Sequence, residues 1–498
     1  MKNIKSILLV AAAMLAAAPA FADVPIKAGR GLRDTVYNKN LNLVLMTSPT
    51  ATASINGEEV HVYKTGTFGK QIVLEEGLNE IKVKATDKGE TAEQTFKVVY
   101  TTKQPRMRMG GGPRPEFIEG TGFSEILMYG VTKEGAYLKF GNGDERLGGT
   151  KMGYLAPGIP LKLVSQNKDM YCAQLSNNRV AYIDKEYVEI GGAKPRVINS
   201  GNFSISNAGK TDDVYLSLPA KVPYYSWIEL DPTILYVDLY GVTNNSNWIT
   251  HKMGLGMIEY VDVRQVEGDV LRLVIKFKHK YSWGYHITYS GNNLVINVKH
   301  TPENLTLKGM TVCLDAGHGG SAPGALGYTG LEEKVVNMQL VQETKRILES
   351  KGAIVTLTRK GDEGPDDRIV EAGNPDLFIS FHNNSGGSPF AQLGTSCYYK
   401  YICNREYAEC ILNRLLELGQ NCFGLVGNFN FNLCRPTEYP CMLIEGLFMN
   451  SLAEEEMLMD PAFRTKFCEK AVQGVEDYLQ KVKDSLPAAP SKKASKKK

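Results

Sequence analysis

At about residue 305 the hydrophobic pattern of this 498-residue chain changes period. Before that point, short runs alternate apolar and polar residues between Gly, Asn and Pro turn signals, the period-2 signature of half-buried strands. After it, continuous apolar runs at MTVCLDAG, AIVTLTR, DLFISFH and CMLIEG read as strands buried on both faces. Between these runs, 334–350, 405–418 and 462–482 carry helical spacing, with Val336, Leu340 and Ile347 on one face and Phe463, Phe467, Ala471 and Val475 on one stripe. Strand–helix alternation predicts a mostly parallel, doubly wound α/β sheet over 304–484. The chain is too long for one hydrophobic core, so the expectation is multidomain: all-β modules, then an α/β catalytic domain.

In 23–101, Asn56-Gly57 between Ile55 and Val60 signals a hairpin, and Ile81, Val83 and Ala85 share one strand face. This stretch resembles a bacterial Ig-like module. Residues 102–115, with three consecutive glycines and several prolines, read as a linker. The Gly-rich β pattern of 116–195 resembles the SH3-like modules of wall-associated enzymes. Residues 196–303 hold all three tryptophans, and alternation in YSWGYHI puts Tyr281, Trp283 and Tyr285 on one face. Sandwich-core packing is favoured there over stacking on sugars, because large aromatics mostly supply buried area. The run from DPTILYVDLYGV to NNLVINV resembles the AMIN-like envelope-targeting β-sandwich domain.

Residues 1–22 read as a secretory signal peptide: Lys2 and Lys5, an apolar run from Ile7 to Ala18, then Ala20-Phe21-Ala22. No other stretch is long enough to span a bilayer once the signal is removed, so the protein is expected in the periplasm or cell envelope. Eight of nine cysteines lie between Cys313 and Cys468. The odd count leaves at least one thiol free, and Cys397, Cys403, Cys410, Cys422, Cys434 and Cys441 leave room for one or two disulfides of open pairing. A formal charge of +3 gives no reason to expect nucleic acid as a partner. The lysine-rich stretch 485–498 reads as a disordered basic tail.

Two histidines, His318 in DAGHGG and His382 in LFISFHNN, each follow a buried strand-like run. No other histidine lies in the C-terminal 190 or so residues, so a third protein ligand must be of another type. Glu333 in GYTGLEEKVVN is the acidic choice, with adjacent Glu332 its rival; a helix turns successive side chains by about 100°, so one of the two faces the metal. Two histidines and one carboxylate with a position open to water make the ligand set of a catalytic zinc, Zn2+. Glu445 ends the apolar run CMLIEG, where burial raises a carboxyl group toward a useful pKa for proton transfer. In wound sheets such groups gather at the carboxyl ends of strands.

Residues 310–482 resemble the zinc-dependent N-acetylmuramoyl-L-alanine amidases of the Amidase_3 type through DAGHGG, GALG, GLEEK, LTR, Arg368, SFHNN and PCMLIEGLFMN, in order. The resemblance implies that His318, Glu333 and His382 hold zinc, the glutamate that directly precedes the lysine being Glu333, and that Glu445 is the catalytic acid and base. It further implies hydrolysis of the amide between N-acetylmuramic acid and L-alanine, peptidoglycan as partner, and an activator protein where the site is autoinhibited. Lys334 is expected to be a surface or ion-paired residue, and Arg359 and Arg368 structural ion-pair partners. Ala316, Ala322 and Asn383 depart from the family pattern without removing a ligand. The rival readings are a silent peptidoglycan-binding protein and a zinc peptidase acting within the stem peptide; a serine hydrolase is disfavoured, since no GxSxG occurs and Ser385 lacks a further histidine.

Overall fold

The computed structural model describes residues 24–102, 122–143, 147–364 and 368–486. The signal segment 1–22, nearly all of the 102–115 linker and most of the basic tail lie outside the described residues.

Residues 24–102 build two sheets, of three and five strands, around a core of Leu43, Leu45, Ile55, Phe68 and Leu74. The Asn56-Gly57 turn forms as the sequence predicts, with φ of 51° and 83°, and joins Thr52–Ile55 to Glu58–Val60. Only residues that tolerate positive φ fit such a two-residue hairpin loop. Ile81, Val83 and Ala85 point together into the core.

Residues 124–190 form one seven-stranded sheet, and 198–299 form main sheets of five and four strands. Their interiors are continuous: Leu138, Leu161 and Ile183 share a cluster with Val237, Leu271 and Ile296. The predicted boundary at 195/196 therefore crosses a single core. Trp283 also departs from expectation. Residues 281–284 carry no strand, and alternation starts only at Tyr285–Ser290. The backbone turns at Gly284 (φ +121°), where a Cβ would sit 2.3 Å from the Glu438 carbonyl, so no other residue fits so close an approach. Trp283 is completely buried, yet it stacks on Tyr478 of the C-terminal helix, 6.1 Å between rings, instead of entering the sandwich core.

The C-terminal sheet has six strands in the order Ile354–Leu357, Thr311–Ala316, Leu377–Asn384, Cys441–Phe448, Thr395–Tyr398, Cys422–Val426. The first four are parallel; Thr395–Tyr398 runs antiparallel to Cys441–Phe448. Helices α1 (Glu333–Ser350), α3 (Arg405–Leu416) and α4 (Pro461–Ser485) fall where the periodicity places them. The winding is unequal. Leu314, Ile379, Phe381 and Ile444 pack in one cluster with residues of these three long helices. The alternate residues Cys313, Phe378 and Cys441 meet instead Ala372 of short α2 (Arg368–Ala372) together with Leu433 and Tyr439. That second face stays thinly covered by helix, which leaves it to loops and to the site.

All nine cysteines are free thiols, seven of them buried, and none of the one or two disulfides for which the sequence left room is present. Sequence parity counts thiols but carries no information on their separation, which bridging requires. Among the described residues no helix is long and apolar enough to cross a membrane.

Candidate metal centre

The strand Thr311–Ala316 ends in Gly317-His318-Gly319-Gly320, and His318 itself takes φ +62°, a strained choice for a residue with a Cβ. Arginines hold the turn. Arg368 donates to the carbonyls of Ala316 and His318 and pairs with Asp315 at 3.2 Å, while Arg359 donates to the carbonyls of Ala316 (2.8 Å), Gly317 (3.3 Å) and Lys334 (2.8 Å). Arg368 is thus the ion-pair partner expected. Arg359 is not; it clamps main-chain oxygens. Asp315, fully buried, also accepts from Thr358 Oγ1 at 2.5 Å and Ser380 Oγ at 2.6 Å, fastening three neighbouring segments beneath the histidines.

Glu333 is the first residue of α1, as the loop-to-helix reading requires. Its Oε1 accepts from Asn337 Nδ2 (3.1 Å) and the Asn383 N–H (3.0 Å) and lies 3.1 Å from His382 Nδ1. Its Oε2 accepts from the Ala325 N–H (2.7 Å) and lies 3.1 Å from His318 Nε2. Burial alone would raise this carboxyl, but the two histidines outweigh it and hold Glu333 far below the usual carboxylate range. Glu332 is turned away, with 39% of its side chain exposed against 4% for Glu333, and faces Lys334. Lys334 pairs with Asp362 at 2.9 Å, the ion-paired role expected of it.

His382 and Glu445 are register partners on adjacent parallel strands. Both alternate with residues of the helix-side core, Phe381 and Ile444, so both leave the thinly covered face. The strands run past them, to Asn384 and Phe448, so neither group stands at a strand tip as predicted. Glu445 is half-buried, less enclosed than its apolar flanks suggest. Burial works against charge on His382, but Glu333, Glu445 and Asp315 together raise its pKa.

His318, Glu333 and His382 offer one ligand atom each, all within 4.8 Å of one another. The surroundings fit a cation. Among the described residues, the buried His382 Nε2 has no hydrogen-bond partner, a lone pair or proton left without use unless something binds it. Glycines make room: a Cβ on Gly317 would lie 2.3 Å from the His382 ring, and one on Gly324 would lie 2.4 Å from Glu333 Oε2. The donor set, two imidazoles and a carboxylate, is that of zinc sites which keep a position open.

Several residues escaped the sequence reading. Asn337 stands four residues after Glu333, the spacing that brings two helix side chains together, and that spacing could have found it. Asn383, noted there only as a departure, bonds Asn337 Oδ1 at 2.9 Å and accepts from the Leu447 N–H at 3.1 Å, tying the His382 strand to the Glu445 strand. Phe431 packs edge-on against His382 at 5.7 Å, from the loop after Cys422–Val426. Asn430 beside it donates to the carbonyls of Leu147 (3.2 Å) and Gly149 (3.1 Å) and accepts from the Lys151 N–H (3.1 Å), all in the seven-stranded module.

Residues 312–477 match the family described as N-acetylmuramoyl-L-alanine amidase, and residues 30–103 match glucodextranase, domain B. The chain is 28% identical over 254 residues to the probable cell wall amidase LytH of Staphylococcus saprophyticus, covering 50% of this chain and 80% of that protein. It is 30% identical over 193 residues to the probable cell wall amidase LytH of Staphylococcus aureus, covering 38% of this chain and 64%, just under two thirds, of that one. Among solved structures, the catalytic domain of the N-acetylmuramoyl-L-alanine amidase CwlV from Bacillus (Paenibacillus) polymyxa var. colistinus is 29% identical, covering 34% of this chain and 98% of that chain, with a TM-score of 0.33. Over residues 312–477 the chain therefore carries an amidase domain of the N-acetylmuramoyl-L-alanine amidase type.

Proposed function

We propose that the protein is an exported zinc hydrolase that cleaves the amide between N-acetylmuramic acid and L-alanine of peptidoglycan, in the periplasm or cell envelope. The observation that carries this reading is the convergence of His318, Glu333 and His382 within 4.8 Å, with Glu445 in register beside His382. The three converging residues would hold the zinc, which when bound supplies a Lewis acid and an activated water. Glu445 takes a proton from the attacking water and returns it to the leaving amine nitrogen. Asn337, Asn383 and Ala325 keep the Glu333 carboxylate fixed and charged. Asp315 and the two arginines set the histidine turn from below.

The same reading assigns 1–22 to export, 23–101, 116–195 and 196–303 to wall-directed β modules, and 304–484 to catalysis. A separate activator would act where the site is occluded. The test compares the full chain with Glu445→Gln on peptidoglycan sacculi, with and without a chelator, identifying released fragments by mass. Free peptides beginning at L-alanine, reduced at least about 100-fold by the substitution and restored to the chelated enzyme by zinc, are the expected outcome. Fragments cut within the peptide, or no release by a zinc-loaded enzyme, would refute it.

A further inference from the structure

The seven-stranded module, the 198–299 sandwich and the catalytic domain line a partly open cavity of about 510 Å³ where they meet. Tyr154, Tyr224, Tyr285, Tyr401, Arg435 and Glu438 are among its walls. That size suits a small organic ligand, and tyrosines offer such a ligand apolar faces with polar tips.

The charge at one end is unbalanced. The Arg435 guanidinium lies over the Tyr154 ring, 4.4 Å from its centre, with Lys151, Lys400 and Lys139 behind it. Lys139 pairs with Asp184 at 2.8 Å. Among the described residues the other three cations have no carboxylate in ion-pair reach; Lys151 donates to Asn432 Oδ1 and Lys400 to Asn430 Oδ1 at 3.4 Å. Burial, then Arg435, Lys400 and Lys139, bring the Lys151 ammonium down to about 8. Two carboxylates also line the cavity, Glu134 and Glu438; Glu438 is engaged, pairing with His286 at 3.0 Å, which lowers the carboxyl pKa and raises that of the imidazole. Clustered, half-buried cations without counter-charge attract an anion from outside.

We propose that this junction cavity binds a carboxylate-bearing peptide, with Arg435 receiving the carboxylate and the tyrosines flanking the chain. Two bonds between a guanidinium fork and a carboxylate give the site its direction. The inference deepens the proposed function, on whose peptide-bearing substrate it rests: it is a second contact for the peptide, away from the metal centre.

The probe is the tripeptide Ala-Glu-Lys, titrated calorimetrically into the full chain, beside the same peptide with every carboxyl amidated. Expected are binding of the free acid, binding of the amide at least tenfold weaker, a loss of at least tenfold in Arg435→Gln, and only partial recovery in Arg435→Lys, which keeps the charge but not the fork. Glu445→Gln should bind as the parent does. Equal binding of both peptides, unchanged binding in Arg435→Gln, or loss in Glu445→Gln alone would overturn the proposal; so would displacement by equimolar inorganic phosphate. No turnover is read, so failure of the amidase reading on sacculi would leave this result separately visible.

Discussion

Residues 24–102 and residues 122–486 answer the same β patterning in opposite ways. The first closes its own core and forms a compact unit by itself. In the second, two β modules merge their interiors, and one hands Tyr281 and Trp283 to the core of the catalytic domain. Further ties follow: Tyr285 N–H donates to the Thr437 carbonyl at 2.7 Å, and Asn430 spans to the 147–151 segment. Period-2 alternation thus identifies strands but does not say whose core their exposed edges and ends will complete. Self-sufficiency is decided by the few large residues at the margins.

The most severe way to break this contrast is to cut it. A chain beginning at 304 strips Trp283 from Tyr478 and is expected to lose cooperative melting, whereas one beginning at 122 should keep its transition and its amidase activity within about twofold. Thermal melts with light scattering decide it, and a sharp transition in the shorter chain would end the argument for interlocking. Next in size, Trp283→Ala should cost about 3–5 kcal/mol in denaturant unfolding and take amidase activity down with it. Leu43→Ala, at about 2–5 kcal/mol, should weaken only the transition of 24–102 and spare activity.

A smaller effect concerns Asp212, fully buried, which accepts from the N–H groups of Gly256, Met257 and Ile258 at 2.7–2.9 Å and from His300 at 2.8 Å. Burial opposes its charge, yet these donors prevail and hold the carboxyl below its ordinary value. A depressed pKa contributes stability above the unfolded value of roughly 4 and loses it as pH falls through the folded value. Asp212→Asn should therefore cost about 1–3 kcal/mol near neutrality and flatten the acid limb of the stability profile of 122–486. Least of all, Asn430→Ala should remove about 0.5–1.5 kcal/mol per bond. Activity on sacculi should fall severalfold more than the melting midpoint suggests, because Phe431 loosens beside His382.

The candidate metal site was legible because its groups sit in short motifs after or within buried strands and at a helix start, where spacing and local conformation travel together. His318, Glu333, His382 and Glu445 are brought to one place as expected. What supports them was not legible: Asp315 and Asn383 act through partners 43 to 65 residues away in sequence. Trp283 was read correctly as buried and wrongly as sandwich core, since the break in alternation at Gly284 comes from the approach of Glu438, far along the chain. The three long helices were found to within three residues at each end, but their gathering on one sheet face depends on which side each crossover takes, and periodicity is silent on that.

The nine thiols lead somewhere unexpected. Seven are buried, burial pushes Cys403 and Cys434 up to about 12, and Cys422 alone is exposed, at the start of an edge strand. A fold with no bridges has no oxidation state to be assembled in, so protein refolded under strong reductant should match protein refolded in air. Cys422 then becomes a handle supplied by the chain itself: one exposed sulfur on the catalytic domain, accessible to a dye or spin label without any substitution.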